Sequence, residues 1–234
     1  MKKAKAASHV IFYFLIICIF IASAYLGSET TSVVAGLIPV KREHTIIIDG
    51  GHGGVDGGAT SCTGVLESQI NLEIALRLND LFRLLGYETK MIRTTDCSIH
   101  TEGETIAAKK VSDLKARVQI VNETENAVLL SIHQNTFSDS RYSGAQVFYS
   151  AEGESRELAE VMQATLIDTL NLGSNRTCKK ADGIYLMDRI NCTGILVECG
   201  FLSNPSEEAK LRSEEYQKKL CVVMASTLTN FLDR

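Results

Sequence analysis

Short apolar runs alternate along this chain with stretches whose apolar residues recur every three or four positions. The runs are short and stand next to glycine or polar residues, which favours strands buried on both faces. Three such strands are predicted at Thr45–Asp49, Ala127–Ile132 and Gly194–Glu198. Two further strands are predicted at Tyr87–Arg93 and Gly144–Tyr149.

The stretches between these runs have the period of amphipathic helices. Across Ile70–Leu85 the apolar residues recur at intervals of four, four, three and four, and Gly86 would end the helix. The same pattern predicts helices around Leu114–Val121, Leu158–Leu170 and Leu220–Phe231. Strands separated by helices indicate an α/β fold: a mostly parallel or mixed central sheet with helices on both faces. With no internal repeat, residues 45–234 are expected to form one domain.

The apolar run Val10–Leu26 differs from the others because three lysines and no acidic residue precede it. A basic start followed by such a run is typical of an export signal or a short membrane anchor. Ala22-Ser23-Ala24 offers a cleavage site, so cleavage and retention both remain open. We therefore expect a signal or anchor at residues 1–27, a linker at residues 28–44, and a domain exported to the outer face of the membrane.

The formal charge is −4, from 24 basic and 28 acidic residues. Residues 1–27 hold three of the bases and none of the acids, so the rest of the chain has a formal charge of −7. Nucleic-acid binding needs clustered lysine and arginine to neutralise phosphates, so this balance argues against it. It also argues against recognition of an anionic polymer through bulk charge, and a partner is expected to bind in a cleft.

Seven cysteines are many for 234 residues. Cys18 lies in the N-terminal apolar run, and the other six would permit disulfides in an exported domain. No C-x-x-C pair is present, so a thiolate zinc site is not expected. Since the domain is long enough to form a core without disulfides, mostly buried free thiols are favoured.

Side chains suited to metal binding or acid–base chemistry stand where three predicted strands end. His52 follows the first strand, His133 follows the second and Glu198 ends the third. Glu67 lies just before the Ile70–Leu85 stretch. Sites in open α/β sheets form at the carboxyl ends of strands, and two imidazoles with one carboxylate make a zinc site with a position open for water. Spacing alone supports this weakly, because these residues lie far apart in the sequence.

The glycines around His52 strengthen the case. This segment has no side chains at Gly50, Gly51, Gly53 and Gly54, so its backbone can approach a metal and a substrate closely. A phosphate-binding loop is the rival interpretation, but neither G-x-G-x-x-G nor a Lys-Ser/Thr pair follows.

Six segments, in order along residues 45–232, together resemble the motifs of the family 3 N-acetylmuramoyl-L-alanine amidases. They are Ile48–Gly54 with Asp56–Gly58, Glu67 with Asn71-Leu72, Thr89–Thr94, Leu114–Asn122, Ser131–Asn135 and Glu198–Asn204. The last two match S-I-H-x-N and E-x-G-F-L-S-N, and Val121 departs from the alanine usual in the family. Six motifs in one order make chance similarity negligible.

The resemblance implies a zinc amidase that cleaves between the lactyl group of muramic acid and the first alanine of the peptidoglycan stem. His52, Glu67 and His133 would bind Zn²⁺, which polarises the lactyl carbonyl and lowers the pKa of its bound water. Glu198 would be the catalytic carboxylate, accepting the water proton and returning it to the departing alanine nitrogen.

The motifs imply lesser roles for other residues. Asn135 and Arg93 would hold the substrate or support the metal ligands, and Arg117 would form a structural ion pair. Cys199 follows Glu198 on the same strand, so its side chain is expected on the opposite face, away from the reaction.

A short single-domain amidase with an N-terminal apolar segment resembles the germination-specific amidases of endospore formers. Those enzymes remove stem peptides from cortex peptidoglycan so that muramic δ-lactam can form, which implies a place in the forespore intermembrane space. A vegetative autolysin or cell-separation amidase of the same family is the alternative. A carboxypeptidase on the same scaffold and a non-catalytic wall-binding module are the rivals outside the family.

Control of the activity is expected to come from outside the domain. Only 64 residues separate His133 from Glu198, too few for a large blocking insertion. Membrane placement through the N-terminal segment, or an activating protein partner, would then restrain or raise the activity.

Overall fold

A computed structural model describes residues 42–234, which contain six strands and five helices. The strands are β1 (Thr45–Gly50), β2 (Glu88–Met91), β3 (Ala127–Asn135), β4 (Gln146–Tyr149), β5 (Lys179–Lys180) and β6 (Thr193–Phe201). The helices are α1 (Glu67–Leu84), α2 (Ile106–Asn122), α3 (Ser155–Leu170), α4 (Pro205–Leu211) and α5 (Glu214–Leu232). All strands belong to one sheet in the order β2-β1-β3-β6-β4-β5, so the predicted α/β class with a mixed sheet is confirmed.

The middle of the sheet is parallel. β1 pairs in parallel with β2 and β3, and β3 pairs in parallel with β6. β4 runs antiparallel to β6. The carboxyl ends of β1, β3 and β6 therefore meet at one edge of the sheet, where His133 stands opposite Glu198 in the β3–β6 register.

Alternate strand residues serve opposite faces of the sheet. Ile46 and Leu130 belong to the core cluster that α1, α3 and α5 cover. Ile47 and Leu129 belong to a second cluster, covered by α2 and by segment 181–190. The helices thus lie on both faces, as predicted.

Two strands extend further than the apolar pattern predicts. β3 continues through His133 to Asn135, and β6 continues through Glu198 to Phe201. In β3, main-chain pairing persists although the side chains turn polar after Ile132, because backbone hydrogen bonds do not require apolar neighbours. The register of this pairing shifts between His133 and Asn135.

Two elements are absent from the prediction. β5 consists of two exposed lysines, so no apolar alternation marks it. The short helix α4 does have a start signal, since the Asn204 side chain accepts hydrogen bonds from the backbone N–H groups of Ser206 and Glu207 and Pro205 follows it.

The predicted N-terminal segment at residues 1–27, and most of the linker, lie outside the described residues. Within residues 42–234, no helix combines the length and the apolar character needed to cross a membrane. The six cysteines of this part are free, as expected, but only Cys199 and Cys221 are buried: Cys62 is exposed and the other three are partly exposed, so the expectation that most would be buried is wrong. Cys199 lies in the α1/α3/α5 core, on the face opposite Glu198, as expected.

Candidate active site

His52 stands in the glycine-rich segment that follows β1. Its backbone has a φ of 62°, a left-handed conformation that costs energy for a non-glycine residue and persists only when the surroundings hold it. Arg117 supplies one restraint, because its Nη2 donates to the His52 carbonyl at 2.7 Å. On the imidazole, Nδ1 donates to Asp56 Oδ2 at 2.9 Å, and Asp56 also binds Lys110 Nζ at 2.7 Å. With Nδ1 as the donor, the lone pair of the ring remains on Nε2.

Glu67 is the first residue of α1 and is only 4% exposed. Its oxygens accept hydrogen bonds from the backbone N–H groups of Ala59 at 2.9 Å and Gln134 at 3.1 Å. Asn71, one helical turn later, adds its Nδ2 at 3.1 Å. Burial by itself would raise the pKa of the Glu67 carboxyl, but the hydrogen bonds of His133 and His52 hold it well below its ordinary value.

The three predicted ligands, His52, Glu67 and His133, converge and form one ligand cluster. His133 Nδ1 lies 3.0 Å from Glu67 Oε1, and His52 Nε2 lies 3.3 Å from Glu67 Oε2. The two imidazole rings meet edge to face with centroids 5.0 Å apart. One ligand atom from each residue falls within 4.8 Å of the others.

Two glycines make room for this convergence. A Cβ at Gly51 would lie 2.2 Å from Cε1 and Nε2 of His133. At Gly58, where φ is +69°, a Cβ would lie 2.6 Å from Glu67 Oε2. Real Cβ atoms do not approach neighbours this closely, so any side chain at either position would displace a member of the cluster.

The charge state of His52 follows from its carboxylate neighbours. Burial lowers the pKa of this imidazole, but the hydrogen bonds and charges of Glu67 and Asp56 outweigh burial and raise the pKa to about 9. The cluster therefore attracts positive charge: either a proton on the ring or a cation between the three side chains would neutralise Glu67.

Glu198 lies beside the cluster at the end of β6, opposite His133. Its Oε2 is buried and has no hydrogen-bond partner among the described residues. Burial raises the pKa of Glu198 to about 7, although the charge of His133 opposes the rise. A carboxyl group with a pKa near neutrality can both accept and release a proton at physiological pH.

Arg93 and Asn135 occupy different environments. Arg93 is buried, and its guanidinium donates only to backbone carbonyls, those of Gly50, Gly51, Ser68 and Thr95, at 2.7–3.1 Å. Asn135 is half-buried and is the last residue of β3, two residues after His133 and just past a shift in the β3–β6 register. Arg93 is committed to the backbone of the glycine segment, whereas Asn135 stands at the edge where the cluster lies.

A buried ion network lies beneath the cluster and contains Arg117, as expected. Arg117 bonds to Asp49 and to Asp113, the latter at 2.6 Å, and Ser131 Oγ donates to Asp49 Oδ2 at 2.7 Å. These contacts join β1, β3 and α2. Because Arg117 also donates to the His52 carbonyl, the network ties the glycine-rich segment after β1 to the sheet.

Asp56 and Asn71 take part in the site, although the sequence analysis assigned them no role. Each lies four residues after a predicted ligand: Asp56 after His52 and Asn71 after Glu67. For Asn71 the helical spacing was a usable signal, since residues four apart on a helix are neighbours. Asp56 lies in a turn, where spacing does not determine which side chains meet.

The chain is similar to known proteins of one family along most of its length. Residues 46–230 match the Amidase_3 family, described as N-acetylmuramoyl-L-alanine amidase. A germination-specific N-acetylmuramoyl-L-alanine amidase of Bacillus subtilis (strain 168) is 34% identical over 221 residues, covering 94% of this chain and 91% of that protein. The N-acetylmuramoyl-L-alanine amidase LytC of the same organism is 31% identical over 184 residues, covering 77% of this chain but 34% of LytC.

A solved structure extends the similarity to three dimensions. The CwlD amidase from Clostridioides difficile, in complex with the GerS lipoprotein, superposes with a TM-score of 0.78 at 36% identity. The match covers 82% of this chain and 99% of that one.

Proposed function

The chain belongs to the Amidase_3 family of N-acetylmuramoyl-L-alanine amidases, and we propose that it hydrolyses its amide with Zn²⁺ bound by His52, Glu67 and His133. The observation that supports this proposal most directly is the convergence of one ligand atom from each residue within 4.8 Å. The bond cleaved would join the lactyl group of N-acetylmuramic acid to the L-alanine of the stem peptide.

The donor set fits a zinc ion. Two imidazole nitrogens and one carboxylate are the usual three protein ligands of a catalytic zinc with one open position. Asp56 directs the free lone pair of His52 toward Glu67, and a lone pair facing a carboxylate at 3.3 Å is unfavourable unless a cation or proton lies between them. When bound, zinc would supply a Lewis acid for the scissile carbonyl.

Glu198 would act as the general base and then as the general acid. Its unpartnered Oε2 is free to accept a proton from the attacking water, and its raised pKa keeps that proton transferable. The same carboxyl would then protonate the departing alanine nitrogen, which leaves poorly as an anion. Because Glu198 stands opposite His133 in the sheet, this proton transfer would occur beside the ligand cluster.

For the two remaining candidates we propose separate roles. Arg93 would support the proposed metal ligands by holding the carbonyls of the glycine segment, without contacting the substrate. Asn135 would contact the substrate from the end of β3.

We further propose that the chain acts outside the cytoplasm on spore cortex peptidoglycan, removing stem peptides so that muramic δ-lactam can form. The similarity to a germination-specific amidase along nearly the full length of both chains favours this over the alternative, a vegetative autolysin or cell-separation amidase. By analogy with the complex of CwlD and a lipoprotein, an activating protein partner would raise the activity, and residues 1–27 would place the enzyme at the membrane.

The test is digestion of purified peptidoglycan by the full-length chain, with zinc and after zinc removal, followed by mass spectrometry of both products. The expected products are glycan with free lactyl carboxyl groups and peptides beginning with a free alanine amino group, formed only with zinc. Peptides shortened at their carboxyl ends, with the lactyl amide intact, would show a carboxypeptidase instead. If the chain cleaves cortex peptidoglycan no faster than vegetative peptidoglycan, the spore assignment is wrong and the amidase assignment still stands.

A further inference from the structure

A polar cleft of about 950 Å³ lies beside the carboxyl end of β6, the strand that carries Glu198. Its walls come from segments 139–144, 171–176 and 204–210. The backbone N–H groups of Gly144 and Phe201 both donate to Glu207 Oε2 at 2.9 Å, which fixes the wall to the strand end. The cleft is therefore attached to the element that carries Glu198.

Arg176 is held rigidly in this cleft by uncharged partners. Its Nε donates to the Ser143 carbonyl at 3.0 Å, and its Nη1 donates to Gln146 Oε1 at 3.4 Å. The guanidinium also stacks over the buried Phe201 ring, 4.9 Å from its centroid. These contacts orient the planar guanidinium but leave its charge unpaired, which is the arrangement that favours a carboxylate ligand.

The other charged residues of the cleft do not neutralise Arg176. Asp139 pairs with Arg141 at 2.7 Å. Glu207 is committed to the two backbone amides named above. Lys210, exposed on α4, adds a second positive charge to the cleft. Among the described residues, the cleft is lined by three basic and two acidic side chains, and neither acid forms an ion pair with Arg176 or Lys210, so these two cations favour an anion.

The cleft also lies on the correct side of the sheet. Gln146 and Glu198 are direct partners in the antiparallel pairing of β4 with β6, so their side chains share one face. Directly opposed residues have Cβ atoms about 5 Å apart. Arg176 donates a hydrogen bond to the Gln146 side chain. A substrate whose scissile amide lies at Glu198 can therefore place a group a few covalent bonds away against Arg176.

We propose that this cleft receives the stem peptide of the substrate and that Arg176 pairs with the first free carboxylate after the alanine. The inference rests on the proposed amidase function. It assigns the cleft to the peptide because the glycan on the lactyl side of the amide carries no free carboxylate, whereas the stem peptide on the other side does. Lys210 strengthens the same preference through its charge.

The experiment compares two soluble muramoyl peptides that differ at one group: the residue after alanine bears a free carboxylate in one and the corresponding amide in the other. With the zinc-loaded full-length chain, we expect kcat/KM to be about tenfold higher for the carboxylate form. This ratio corresponds to the free energy of one charge-assisted hydrogen bond at a partly exposed site. Arg176→Gln is expected to remove this preference, chiefly by raising KM for the carboxylate form. Arg176→Lys should retain part of it, and Lys210→Gln should reduce it by about twofold.

Arg189→Gln is the matched control. Arg189 also stacks on an aromatic ring, that of Tyr185 at 3.9 Å, but it lies before the amino end of β6 and outside the cleft. It should leave the preference unchanged. If the wild type shows no preference, or if Arg176→Gln slows both substrates equally, the inference is wrong. Should Arg176→Gln fail to fold, an undiminished preference in both Arg176→Lys and Lys210→Gln would overturn it. Cleavage of neither substrate by the wild type would count against the proposed function instead.

Discussion

The connection from β1 to the start of α1 and the part of β6 that holds Glu198 both bring polar side chains to the ligand cluster, yet their hydrogen bonding differs. In the first, the proposed ligands His52 and Glu67 have their positions fixed by Asp56, Asn71 and the main chain. In the second, Glu198 keeps one oxygen buried and without a partner among the described residues.

This difference separates two chemical tasks. A metal ligand must present one lone pair in one direction, so its other polar atoms are best bound by neighbours. A group that exchanges protons needs a perturbed pKa and a free oxygen, so a hydrogen-bonded environment like that of Glu67 would disable it. If the comparison is correct, substitutions around His52 and Glu67 should change metal binding, and substitutions at Glu198 should change turnover.

The largest effect is expected for His133→Ala, which removes one of the three proposed ligands. Zinc and activity should both be lost, because two ligands cannot complete the site. Metal content measured on the purified protein and amide cleavage test this. His100→Ala is the control, since His100 bonds to Ser98 and lies outside the ligand cluster. Full zinc occupancy in His133→Ala would show that the cluster is not the metal site.

Glu198→Gln should separate turnover from metal binding. The amide keeps the shape of the side chain but cannot accept the proton, so kcat should fall by about 100-fold or more. Zinc content should be unchanged, because Glu198 lies outside the ligand cluster. Loss of zinc in this variant would make Glu198 a ligand and would erase the distinction between the two regions.

Gly51→Ala tests whether the space beside His133 is required. The new Cβ would meet the ring at 2.2 Å, so the ring or the loop must move. A displacement near 1 Å at a site of this kind costs on the order of 100-fold in activity, and weaker zinc binding should accompany it. Gly64→Ala controls for backbone strain without crowding: its φ is +91°, but a Cβ there has nothing within 4 Å, so this variant should lose stability and keep its zinc affinity. Equal zinc affinity in Gly51→Ala and the wild type would contradict the proposed geometry.

The smallest effect is expected for Asp56→Asn, which weakens the orientation of His52 without removing a ligand. Zinc affinity should fall by about tenfold, as is usual when the partner of a ligating imidazole is changed. Lys110→Gln, which removes the outer neighbour of Asp56, should cost less because that ion pair is partly exposed. Competition with a chelator measures both. A larger loss in Lys110→Gln than in Asp56→Asn would mean that the orientation of His52 does not depend on this carboxylate.

The sequence by itself determined the order of five strands and four helices and placed His133 and Glu198 toward the carboxyl ends of two of these strands. Apolar periodicity is a local property, and parallel strands bring their carboxyl ends together whatever the details of packing. Only the tertiary structure decided that Arg93 binds four carbonyls, that Asp56 orients His52 and that Gln146 stands beside Glu198. These contacts join residues from separate turns and from an antiparallel strand, and no spacing in the chain specifies which of the available polar groups will meet once the sheet has formed.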